Sequence, residues 1–126
     1  MPNPNPMSNE QPRTHICLPE GPIVTLVDVQ SLIEIALYGG GDWIEKIRYP
    51  DDIKSRDEAL ANMWNNMSYL EFKPWDESPH PLTLDGLLDA IRMEPEMYES
   101  VITGEGDQID ADQILQLALF NEVVYG

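Results

Sequence analysis

The chain has 126 residues and a formal net charge of −16, from 23 acids against 7 bases. Such a balance argues against direct nucleic-acid binding, which needs Lys and Arg to replace phosphate counterions, and an anionic membrane would repel it as well. With 42% hydrophobic residues the composition suits a folded protein, and the length suits one core rather than two.

Residues 1–13 have the proline- and asparagine-rich start "MPNPNPMSNEQP" and no apolar periodicity, so a flexible tail is expected ahead of a single α+β domain over 14–126. The tail has neither the basic nor the apolar region of a signal peptide, and no apolar run approaches the ~20 residues of a bilayer span. One cysteine, Cys17, cannot form an internal disulfide, which fits a reducing cytoplasm. "THICLPEGPIV" predicts an edge strand and a turn, broken by Pro19 and Pro22. Thr25 with Asp28 then opens a helix whose apolar face is Leu26, Val29, Leu32, Ile33 and Ala36.

"DWIEKIRYP" alternates, with Trp43, Glu45, Ile47 and Tyr49 on one face of a strand that Pro50 ends. Ser55 with Glu58 opens a second helix through Leu60, Met63, Trp64 and Met67. "YLEFK" and "HPLTL" predict a hairpin around "PWDESP". Thr83 caps a third helix carrying Leu84, Leu87, Leu88 and Ile91, in which Gly86 costs about 1 kcal/mol relative to alanine. Met93 to Gly106 has no clean period and reads as a long acidic loop with one short element. Asp110 or Asp107 caps the last helix, whose face includes Ile114, Leu115, Leu117, Ala118 and Val124. The expected fold is α+β: a small antiparallel sheet of three to four strands, with about four helices packed mainly on one face.

Gly39, Gly40 and Gly41 raise the question of a phosphate loop. Such a loop runs from strand to helix and aims a lysine or a helix N-terminus at the anion. Here the helix comes first, no GK[ST] follows, and Asp42 would repel a phosphate. A structural turn is the expected role, with a glycine in the left-handed conformation past the helix end.

Three motifs occur in order: "IALYGGGDWIEKI" at 35–47, "PLTLDGLLDAI" at 81–91 and "IDADQILQLALFNEVVYG" at 109–126. From Val24 onward the chain resembles a family of small proteins encoded in phage and mobile-element regions of bacterial genomes. These have a "TALEGG" segment, an aromatic strand, a central "LT" helix start and a "DADxIxQYALFGEVVYG" type of ending. The resemblance implies a phage or mobile-element setting and no particular reaction. Asn121 stands where that family usually has glycine; asparagine also tolerates the left-handed conformation, so the turn can survive. "EVVYG" is expected to leave the helix and pack Val123, Val124 and Tyr125 on the core.

No catalytic constellation emerges. His15 and His80 are the only histidines, and with Cys17 they are too few for a structural zinc site. Asp107, Asp110 and Asp112 miss the calcium-loop spacing. No cofactor or metal is expected. Charge is the strongest signal: from Pro74 to the end twelve acids stand against one base, Arg92. Asp76, Glu77, Glu94, Glu96, Glu99, Glu105, Asp107, Asp110 and Asp112 are therefore the candidate acidic interaction face. Trp75, in the polar turn, is either an interface anchor or a cover for the sheet edge. The leading expectation is a non-enzymatic interaction protein whose acidic face occupies a basic host protein, as a nucleic-acid mimic could against a defence nuclease. Two alternatives are a binder of a nucleotide signal, using Lys46, Arg48, Lys54 and Arg56, and an enzyme with an unrecognised site.

Overall fold

Side-chain caps start most of the helices where the sequence places them. The structure, a computed structural model, describes residues 14–125 apart from positions 40 and 51; the expected tail, Gly40 and Gly126 lie outside the described residues. The fold is α+β. In chain order it runs β1 (His15–Cys17), β2 (Ile23–Thr25), α1 (Leu26–Gly39), β3 (Ile44–Arg48), α2 (Arg56–Trp64), β4 (Leu70–Pro74) and β5 (His80–Leu82). Three helices close it: α3 (Leu84–Met93), α4 (Pro95–Ile102) and α5 (Gln108–Phe120).

Among the described residues there are two antiparallel sheets rather than one. β1 pairs with β2 as a separate hairpin, and β3-β4-β5 form the other sheet with β4 in the middle. Pro19 and Pro22 bracket the hairpin turn, and Leu18 closes it by donating its N–H to the Pro22 carbonyl at 3.4 Å. On β4, Leu70, Phe72 and Pro74 point inward while Glu71 and Lys73 are half-buried on the outer side. That outer side carries the Lys73–Glu45 and Arg48–Glu71 ion pairs. In β3 the expected alternation fails. A register shift between Ile44 and Lys46 leaves both Glu45 and Lys46 exposed, because a bulge puts two residues of one strand opposite one of its partner.

Thr25 Oγ1 accepts from the Asp28 N–H, Ser55 Oγ from Glu58, and Thr83 Oγ1 from Gly86, at 3.0–3.1 Å. For α5 the cap is Asp107, whose Oδ1 accepts from the Asp110 N–H at 3.0 Å. Each bond satisfies a donor that the first helical turn would otherwise leave unpaired. Met67 is exposed, not part of the α2 face, because the helix stops at Asn65 and Asn66 turns left-handed at φ 59°. The expected acidic loop at 93–106 contains α4. Pro95 stands at its start, where the missing N–H is harmless, and Tyr98 and Val101 form a short buried face.

α5 is the central helix. It packs on α1, α3, α4 and β5, and Ile114, Leu115, Val29, Leu32 and Ile33 meet there in a single buried cluster. Gly86 brings α3 close to α5: a Cβ at this position would lie 2.9 Å from the Ala118 carbonyl oxygen. The expected penalty of glycine in a helix is therefore outweighed by the close approach. Gly86→Ala, which helix propensity alone would make stabilising by ~1 kcal/mol, is expected instead to destabilise by about 1–3 kcal/mol as the two helices are forced apart. Urea unfolding of the two proteins would decide the sign.

Candidate functional site: an acid-lined cleft and a buried latch

The nine acids of the expected face fall into separate environments. Asp76 and Glu77 sit on the β4–β5 turn. Beyond it, His80 meets the last residue of α5 edge-on, with the His80 and Phe120 ring centres 4.7 Å apart. Glu94, Glu96, Glu99, Glu105, Asp107 and Asp110 surround α4 and the opposite end of α5, a helix about 20 Å long at about 1.5 Å per residue. Asp112 is a correction: it is 8% exposed and cannot serve an outer face.

Asp112 belongs to a buried latch. Its Oδ1 accepts from Trp43 Nε1 at 2.8 Å and its Oδ2 from Gln116 Nε2 at 2.7 Å. Gln116 also donates to the Tyr125 carbonyl at 3.0 Å, and its Oε1 accepts the Val124 and Tyr125 N–H groups, both at 2.8 Å. Two donors and two lone pairs are all that a primary amide has, so Gln116 is fully used. Burial raises the Asp112 carboxyl above its ordinary range, against the pull of the Trp43 and Gln116 hydrogen bonds. Tyr125 stacks on Trp43, with ring centres 5.1 Å apart and 4° between planes, and Phe120 meets both rings edge-on. The Tyr125 hydroxyl reaches Glu77 at 2.8 Å, and His80 meets the same carboxylate at 3.1 Å. Those two hydrogen bonds lower the Glu77 pKa, the one from Tyr125 more than the one from His80.

The latch corrects the expectation for the C-terminus. Val123 and Val124 are exposed, and only Tyr125 packs inward. Backbone bonds to Gln116 and the Tyr125 ring stacked on Trp43, not burial of the two valines, hold the segment. Asn121 caps α5 in the left-handed conformation, φ 64°, and starts the reversal. At the other turn, α1 extends through Gly39, and Gly41 is not left-handed. A Cβ on Gly41 would make ordinary contact with Leu37 and Ile44, at 3.4 and 3.5 Å. Ile44 closes this turn by donating its N–H to the Gly41 carbonyl at 3.0 Å. Trp75 is 61% exposed, yet its indole N–H donates to the Asp42 carbonyl at 3.1 Å, so it also covers the entry to β3.

The acids do converge around α4. An open cleft of about 590 Å³ lies between the β2–α1 junction and α4, walled by Asp28, Glu96, Glu99 and Glu105, with no Lys or Arg among the described residues that line it. Asp28 was legible only as a helix-cap residue; packing α4 beside α1 is what turns it into a wall of the cleft. α4 lines the cleft from Glu96 to Ile102, and at its end the Glu99 and Val101 carbonyls accept from the Thr103 and Gly104 N–H groups at 2.9 and 3.2 Å. Gly104, left-handed at φ 89°, lets the chain fold back so that the Glu105 N–H donates to the Ser100 carbonyl at 2.8 Å. Tyr98 also lines the cleft. Burial first, then the neighbouring Asp28 and Glu99 carboxylates, push the Tyr98 pKa upward, so the hydroxyl stays protonated.

The bases proposed for a nucleotide site do not assemble in this way. Arg48 lines a small cavity of about 180 Å³ with Tyr49 and Tyr69, where Glu71 faces it, and Lys46, Lys54 and Arg56 are not among its walls. Among the described residues no helix is long and apolar enough to cross a membrane. No family model matches the chain, and comparison with curated proteins and with solved structures likewise finds no match.

Proposed function

We propose that this is a non-enzymatic interaction protein whose acidic surface occupies a basic, nucleic-acid-binding surface of a host protein, in the phage or mobile-element setting its motifs resemble. The observation that carries this reading is the cleft beside α4, where four carboxylates gather with no basic side chain among the described residues that line it. Four carboxylates lining one space give it a negative potential, which attracts a cationic group of a partner. The reading places the protein in the cytoplasm of a bacterial host.

Tagged protein purified from a bacterial lysate at low salt is expected to retain a basic nucleic-acid-binding protein that added duplex DNA displaces. Raising salt to about 1 M, where the screening length falls to about 3 Å, is expected to release it as well. A partner indifferent to both DNA and salt would exclude the mimic reading. A bound molecule below about 1 kDa, on the scale of drug-sized ligands, would favour the small-ligand alternative instead.

A further inference from the structure

Net charge alone does not explain Tyr98. The residue is 1% exposed, and its hydroxyl is closed to water with no hydrogen-bond partner among the described residues. A buried, unsatisfied hydroxyl is destabilising, and phenylalanine would fill nearly the same space without that cost. Tyr98 nevertheless lines the cleft with Asp28 and Glu99 beside it. Carboxylates only accept hydrogen bonds, and the Tyr98 hydroxyl, a donor as well as an acceptor, is bonded to neither of them, so its lone pairs stay free. A cationic donor is what would use the hydroxyl and the two carboxylates together.

We propose that this cleft seats a lysine side chain from an extended basic segment of the partner, with its ammonium between Asp28, Glu99 and the Tyr98 oxygen. An ammonium is a compact charge with three donors, which matches three acceptors; a planar guanidinium instead suits one bidentate carboxylate. Ile23, 60% exposed, and Ile102 offer apolar surface to the methylene stem. Glu96 and Glu105 are exposed and remain for neighbouring bases of the same segment. Seating the ammonium requires the floor of the cleft to open far enough to uncover the hydroxyl. The proposal rests on the reading that a basic partner docks here, and adds where it docks and through which group.

Calorimetric titration of the full chain with acetyl-hexalysine-amide at low salt tests it. Asp28→Asn with Glu99→Gln is expected to weaken binding about tenfold, a loss of about 1.4 kcal/mol. Asp85→Asn with Asp89→Asn removes the same charge from exposed positions on α3 and is expected to change it less than about twofold. Tyr98→Phe is expected to weaken binding about threefold while raising the melting temperature, a pair of opposite effects that a purely structural tyrosine would not show. Equal losses in the two double variants would overturn the cleft as the seat while leaving a diffuse acidic docking surface. Wild-type affinity in Tyr98→Phe would overturn the ammonium seat. Spermidine binding more tightly than hexalysine would assign the cleft to a free polyamine and overturn the partner segment. Failure of the unmodified chain to bind hexalysine at all would overturn the basic-partner reading itself.

Discussion

Replacing Gln116 with leucine is expected to lower the unfolding free energy by about 3–5 kcal/mol, a large part of the about 5–15 kcal/mol that a domain has. The volumes are similar, so packing is not the main loss. Leucine cannot donate to Asp112 Oδ2 or to the Tyr125 carbonyl, and it cannot accept from the Val124 and Tyr125 amides. The two amide bonds are only part-buried, so the freed N–H groups can turn to water, whereas Asp112 is buried, and leaving its Oδ2 without a donor costs more than freeing the amides. Urea unfolding would give the magnitude. Amide exchange would give the mechanism: Val124 and Tyr125 are expected to lose protection before the core of α5 does. Protection that persists at both amides would mean that the aromatic stack alone holds the segment.

Trp43→Ala is expected to cost a similar amount, about 3–5 kcal/mol, by a different route. It removes the ring stacked on Tyr125 and met edge-on by Phe120, and it takes away the second donor to Asp112. Trp43→Phe largely separates the two contributions, since it keeps an aromatic ring, smaller than the indole, and loses the N–H that Asp112 accepts. Its cost is expected to be about 1–3 kcal/mol. Because Trp43 and Gln116 share Asp112 as their acceptor, their effects are not independent. Combining Trp43→Phe with Gln116→Leu is expected to depart from additivity by about 1 kcal/mol or more. Simple addition in chemical unfolding would show that the two donors act separately.

The helix starts could be read from the chain because their causes lie within four residues. A cap needs only an oxygen three positions before an amide, as at Ser55 and Thr83, and an apolar face needs only its spacing. α4 was harder to see, since two turns give too few repeats for a period, and Glu94 makes no side-chain cap bond. Pro95, at the first helical position, was its local signal. Gln116 also had one: it is a lone polar residue inside "ILQLALF", four positions after Asp112, where a side-chain bond along the helix can form.

By itself, then, the sequence determined the α+β class, the capped helix starts, most of the buried faces and the excess of negative charge. These follow from composition and from interactions between near neighbours in the chain. The tertiary structure alone decided which acids face solvent. Asp112 and Trp43 meet across 69 positions, and that meeting moves one aspartate from the expected face into the interior. It also decided that Gly86 is needed for close approach to Ala118, and that Asp28 joins Glu96, Glu99 and Glu105 around one cleft. Each of these depends on where helices settle when their apolar stripes pack. Many residues fix that placement together, and no local pattern encodes it.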